Sequence, residues 1–262
     1  MKSLMKVWMN GQGLHDIDPH IVVMDVQESE PKLTVSTTAN VKSDGMHITN
    51  TARESLQVQV TIEAHEYSME RRARLLQKVQ AWARDGSLTV GYRPGQRLEC
   101  ICTSLPALGS AWKWTSSIQM VFTAYVIPYW ISDDMQWAHI DTPTRNGETA
   151  MRPVGTAKET PLSFWVRNEG SSAMETLVVQ CPVSGTRFEL NDLGLGPGET
   201  IDVGYDQLGY LYMRKNDGTS VMNKRTAASS DDLLLYQQEG NPIGTATDQP
   251  ATFSFSARGR WL

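Results

Sequence analysis

His65 and Glu66 stand together as they do at the start of a zinc-protease motif. No second histidine follows four residues on, so the two-histidine helix face that such a metal needs cannot form. His65 is expected on the solvent face of a strand. His15, His20, His47 and His139 are scattered among turns and short strands, without a carboxylate at ligand spacing. Cys-x-x-Cys, a phosphate-binding glycine loop and a nucleophile elbow are all missing. Carboxylates drawn from Glu189, Asp192, Asp202 and Asp206 could supply the acid pair of a glycoside hydrolase. The rings of Trp165, Tyr205, Tyr210 and Tyr212 could stack on a sugar, although sheet propensity and core packing explain them equally well. No catalytic residue, metal ligand or cofactor is assigned. Charge is the remaining chemistry: Arg71, Arg72, Arg74, Lys78 and Arg84 share one segment with Glu70 and Asp85. Such a face is either solvated or a contact for an acidic neighbour.

That basic segment lies inside the stretch that organises the first half of the chain. Leu56, Val58, Val60, Ile62 and Ala64 alternate with Gln57, Gln59, Thr61, Glu63 and His65, the period of a half-buried strand. From Ser68 the period changes. Leu75, Leu76, Val79, Trp82 and Ala83 make one apolar helical stripe, with Ser68 as N-cap and Gly86 as the left-handed residue that ends the helix. Alternation returns at Leu88, Val90 and Tyr92, turns at Arg93-Pro94-Gly95, and continues through Leu98, Cys100 and Cys102. Shorter strands are expected around Ile21, Leu33 and Met46. The longest alternating run covers 112–126, about three times an ordinary strand. A strand of that length either bends between sheets or projects to pair elsewhere.

Residues 133–161 read as a polar connection. They carry Pro143, Pro153, Pro161 and the turn-forming Arg145-Asn146-Gly147, and the boundary between two domains, 1–134 and 135–262, is placed there. Beyond it, short apolar segments separated by glycine, proline and asparagine turns predict a β-sandwich. The fold class is thus mainly β: an antiparallel sandwich or split barrel with one packed helix, then a second sandwich.

Forty per cent apolar and 20% charged residues suffice for a real core. A net charge of −5 argues against a nucleic-acid binder held by phosphate contacts. Three cysteines make no disulfide framework and read as buried thiols of a reducing compartment. No secretory signal or membrane-length apolar run is recognised, so a soluble cytoplasmic product without a membrane partner is expected.

Strand, single helix ending in Trp82-Ala83-Arg84-Asp85-Gly86, hairpin, long strand and Pro128-Tyr129-Trp130 follow one another in an order that resembles the N-terminal domain of phage distal tail proteins. The second half resembles their galectin-like domain, through Gly198-Glu199 with Asp202, then Leu235 to Gly240-Asn241 with Ile243, and the terminal Arg258, Arg260 and Trp261. It departs where members often carry a tryptophan, having Asp231-Asp232 instead. The resemblance implies a structural virion protein, a hexameric ring joining the tail tube to the tail tip or baseplate. Its partners would be copies of itself, possibly as stacked rings, the tail tube protein, the tail-tip hub, and a receptor-binding protein or fibre, with DNA only as passing cargo. Arg71, Arg74, Lys78, Trp112 and Trp114 are the candidate subunit contacts. A closed ring needs two different patches on each chain. The alternative is an adhesin for cell-wall glycans, with Trp165, Tyr210 and Tyr212 as stacking rings. Trp165-Val166-Arg167-Asn168 lacks the acid of the galectin sugar site. Whether the last strand, 251–262, stays with the second domain or returns to the first is open.

Overall fold

The computed structural model describes residues 5–29, 33–39, 46–64, 68–105, 117–206 and 209–262. By its contacts the chain divides into two compact units, Met1–Trp130 and Ile131–Leu262. The first opens with a hairpin of β1 (Val7–Met9) and β2 (Gln12–Gly13). Asn10 and Gly11 both have positive φ, 51° and 80°, as a two-residue hairpin loop of matching twist requires. A single helical turn, α1 (Leu14–Ile17), leads to β3 (Ile21–Glu28), β4 (Leu33–Ala39), β5 (Met46–Arg53) and β6 (Leu56–Ala64). Then come α2 (Met69–Trp82), β7 (Gly86–Val90), β8 (Gln96–Ser104) and β9 (Ser117–Ala124).

The alternation in β6 is expressed as expected. Leu56, Val58, Val60 and Ile62 are buried, and β6 pairs antiparallel with β3 on one side and β9 on the other. Strand β8 joins two sheets: its first half pairs with β7, its second with β9. Helix α2 lays Leu75, Leu76, Val79 and Trp82 on this framework. The Trp82 ring meets Phe122 of β9 edge-on at 6.0 Å, and its Nε1 donates to the Gln12 carbonyl at 2.8 Å. Each such fully buried side chain contributes about 1.5–3 kcal/mol.

One expectation fails here and another is met only in part. Gly86 does not stop the helix, which ends at Trp82; with φ of 135° it opens β7. Its missing Cβ makes room for Asn10, whose Oδ1 accepts from Ser87 N at 2.9 Å and whose Nδ2 donates to Asp85 O. Of the run 112–126, the described residues 117–126 carry a strand over Ser117–Ala124 that ends short of Val126; residues 112–116, with Trp112 and Trp114, lie outside the described residues, as does His65. Strand pairing, not side-chain alternation, sets a strand's length, and β6 offers partners only as far as Leu56, opposite Ala124.

The second unit contains β10 (Trp130–Met151), which begins at the division, and β11 (Glu159–Asn168), β12 (Leu177–Cys181), β13 (Thr186–Leu190), β14 (Thr200–Tyr205) and β15 (Leu211–Lys215). A 3-10 turn at Met222–Lys224, β16 (Leu234–Tyr236) and β17 (Asn241–Trp261) complete it. One layer of the sandwich is β15-β14-β11 with the second half of β17; the other is β13-β12 with its first half. Leu162, Phe164, Val166, Phe253 and Phe255 from one layer meet Val179, Phe188, Leu190 and Ile243 from the other in a single core. The final strand pairs throughout with β11 and β12 of its own unit.

Residues 133–161 are not the expected connection. Trp130–Met151 is one strand of 22 residues beside β17, which has 21. Asn241 reaches the Met151 carbonyl, Thr245 bonds Gly147, and Arg258 bonds the Ser132 and Asp133 carbonyls, so the two strands run alongside from end to end. Ala138 and Ile140 pack on the core, which gives this polar segment its inner face. Pro143 withholds one N–H, a loss a strand tolerates where that group faces away from its neighbour.

Two of the loop motifs in the second half of the chain have structural work. Buried Asn241 accepts from Tyr236 N and donates to the Tyr236 and Glu239 carbonyls, closing the loop from Leu235 to Gly240. Glu199 caps Gly196 N at 2.7 Å, next to Gly198 with φ of 76°.

Candidate functional site

On β11, Phe164 and Val166 point into the core, so Trp165 and Arg167 face outward. Trp165 is paired in register with Asp202 of β14, and Asp202 with Arg214 of β15. Two residues along the strands, Tyr212 lies opposite Gly204. A Cβ on Gly204 would come within 2.7 Å of the Tyr212 hydroxyl, so glycine lets the phenol lie across the strand. That hydroxyl donates to Asp202 Oδ2 at 3.1 Å, and the Arg214 guanidinium sits 5.3 Å over the ring. Burial first, then the Asp202 charge, push the Tyr212 phenol above its ordinary range, so it stays a neutral donor. The structure therefore brings Trp165 and Tyr212 to one face. Tyr210, 67% exposed, stands at the end of that face, its N–H capped by Asp206. Tyr205 does not join them: it is half-buried, and its hydroxyl accepts from Leu233 N.

The next strand but one on this layer, past β17, is β10. Trp137 and His139 alternate with core-facing Ala138 and Ile140, and so share the outer face with Trp165. Their rings stack at 6.2 Å with planes 4° apart, and Trp137 is 58% exposed. Sequence reading gives Trp137 no role and leaves His139 among the scattered histidines, because it expects a connection here. The alternation of Trp137, His139 and Asp141 with Ala138 and Ile140 was the available signal.

The carboxylates do not form a hydrolytic pair. Asp202 holds Tyr212, Asp206 caps Tyr210 N, Glu189 pairs with Arg187 at 2.6 Å in the other layer, and Asp192 occupies a turn at φ of 53°. Among the described residues no group of three metal-ligating side chains converges. Cys100 and Cys181 are buried free thiols, each pushed up to about 12 by burial.

In the first unit Arg71, Arg74 and Lys78 are exposed along one side of α2. Arg74 bonds Glu70 at 2.6 Å one turn back, and Lys78 reaches Asp18 at 3.2 Å. Hydrogen bonding from His20, with help from Lys78, holds the Asp18 carboxyl below its usual range. Lys78 and Arg84 border a hollow of about 570 Å³ walled by Trp82 and Ile17. In the same unit the β4–β5 ribbon pairs only with itself among the described residues. Leu33 and Val35 on it are 54% and 42% exposed.

No family model and no curated protein matches the chain. Among solved structures it is similar to the Dit protein (gp 19.1) of phage SPP1, described as a hub of the adsorption apparatus of phages infecting Gram-positive bacteria. The TM-score is 0.67 at 14% identity, over 97% of this chain and 98% of that one. The chain has a Dit-like fold. Looser likenesses, TM-score 0.42 at 8% and 7% identity, are to the phage P2 baseplate in its activated conformation with calcium and with strontium; they cover 92% and 91% of this chain and 90% of those chains. In the Dit-like chain no helix among the described residues is long and apolar enough to cross a membrane.

Proposed function

We propose that this chain is a structural connector of a phage tail, six copies forming a ring between the tail tube and the tail tip. The observation that carries the reading is the end-to-end likeness to a Dit protein, with almost no chain unmatched on either side. The exposed ribbon supports it. A lone two-stranded hairpin is marginal in water, and among the described residues Leu33 and Val35 of the ribbon are left largely exposed. A neighbouring copy is the natural cover in a ring closed by two unlike patches. The basic side of α2, with Arg71, Arg74 and Lys78, offers a contact for an acidic neighbour.

In this reading the first unit builds the ring, and its two faces meet the tail tube protein and the tail-tip hub. The second unit carries the receptor-binding protein or fibre. The role is mechanical and not catalytic, DNA passes through the lumen as cargo, and assembly takes place in the host cytoplasm before the virion is complete. Light scattering with negative-stain microscopy tests it. The expected mass is six times 29.2 kDa, or twice that for stacked rings. A protein that stays monomeric at high concentration ends the proposal.

A further inference from the structure

We infer that copies of this chain join by strand addition, the β4–β5 ribbon of one copy pairing along the free edge of β3 in the next. The contact rests on the ring proposed above and supplies the two unlike patches that such a ring needs.

Strand β3 pairs with β6 on one side, and among the described residues no strand pairs with its other side. Elsewhere the fold covers such edges itself. The edge of β13 receives bonds from Thr226 N, to the Glu189 carbonyl, and from Ser230 N, to the Arg187 carbonyl. The edge of β15 is closed by Val221 N on the Met213 carbonyl and by Lys215 N on the Thr219 carbonyl. On β3, by contrast, Val22 and Met24 are 40% and 46% exposed. The strand carries no lysine, arginine or proline, the residues that keep a foreign strand off an exposed edge. Its outward amides and carbonyls form a row that another strand can continue.

The ribbon has the complementary features. Its strands are seven and eight residues long, against eight in β3, and each pairs only with the other among the described residues. Leu33 and Val35 stand two apart on β4, as Val22 and Met24 do on β3. Laid side by side, the strands would match these apolar residues across the new pairing. A bulge between Val23 and Asp25 sharpens the twist of β3, which turns a flat strand away. The ribbon has a bulge of its own between Ser36 and Thr37 and so is bent as such an edge requires. Docked there, a marginal two-stranded hairpin becomes part of a sheet that continues through β3, β6, β9 and β8.

Backbone hydrogen exchange, read residue by residue on the assembled wild type, tests the pairing. The β3 amides that point away from β6 should exchange about a hundredfold or more slower in the ring than in dispersed Leu33→Asp with Val35→Asp protein. Those of β6 should be equally protected in both. Val22→Lys with Met24→Lys, which guards the edge with charge, should also disperse the ring and leave the thermal melt nearly unchanged. Each double variant keeps the half that the other has lost. Mixed at high concentration, the two should therefore give a species of twice 29.2 kDa and none larger. If either variant does not fold, exchange on the wild type alone decides. A ring whose outward β3 amides exchange as fast as those of exposed loops overturns the strand pairing and leaves the ring standing. So does a mixture of folded variants that stays monomeric. A wild type that never assembles ends both proposals.

Discussion

At the end of β3 the Glu28 carboxylate accepts four hydrogen bonds. Arg93 gives two, from Nε at 2.8 Å and Nη2 at 2.7 Å; Tyr92 gives one at 2.7 Å and Trp130 Nε1 one at 3.1 Å. The Arg93 guanidinium lies 5.2 Å over the Trp130 ring. This knot ties β3, the β7–β8 turn and the last residue of the first unit, all in mostly buried surroundings. Glu28→Ala leaves the half-buried Arg93 without this carboxylate and removes the acceptor of Tyr92 and Trp130, and should cost about 2–4 kcal/mol. Glu28→Gln, which keeps the shape, should cost about 1–3 kcal/mol; urea unfolding midpoints distinguish them. In the second unit Asp248 accepts from Glu175 N and Thr176 N at 3.1 Å. Burial works to raise this carboxyl, but the backbone donors outweigh it and hold it below the ordinary value. A group lowered in the folded state stabilises above its unfolded pKa and loses that contribution as pH falls through the folded one. Wild-type stability should therefore drop more steeply than that of Asp248→Asn below about pH 4, read as denaturant midpoints over an acid series.

At the scale of elements, the β4–β5 ribbon is the test piece for assembly. It pairs with no third strand among the described residues, so Leu33→Asp with Val35→Asp should leave the thermal melt nearly unchanged while dispersing the ring to smaller species. An intact ring in that variant would show that other surfaces hold it. Strands β10 and β17 do the opposite service inside the second unit. Each spans both layers of the sandwich, and with Asn241 and Arg258 bonding across at opposite ends they bind its sheets into one body.

For the whole molecule, the proposed ring sets a mass: the wild type should scatter light near six times 29.2 kDa, and the ribbon variant nearer to one. Equal masses for the two would mean that the ribbon is not the contact between copies.

Local periodicity was enough to place β6, α2, β8, and the cores of β11, β12 and β14, because in each the buried face repeats within the segment itself. The length and partners of β10 were not legible. Its polar, proline-bearing sequence makes sense as a strand only beside β17, which lies about a hundred residues further along, and pairing energy between distant segments leaves no local mark. The Glu28 knot and the Gly86–Asn10 fit were hidden likewise, since each joins residues far apart in sequence. Sequence alone thus determined which segments must bury one face. Tertiary structure decided which of them meet, and so which outward rings, Trp137, Trp165 and Tyr212, come to share a surface.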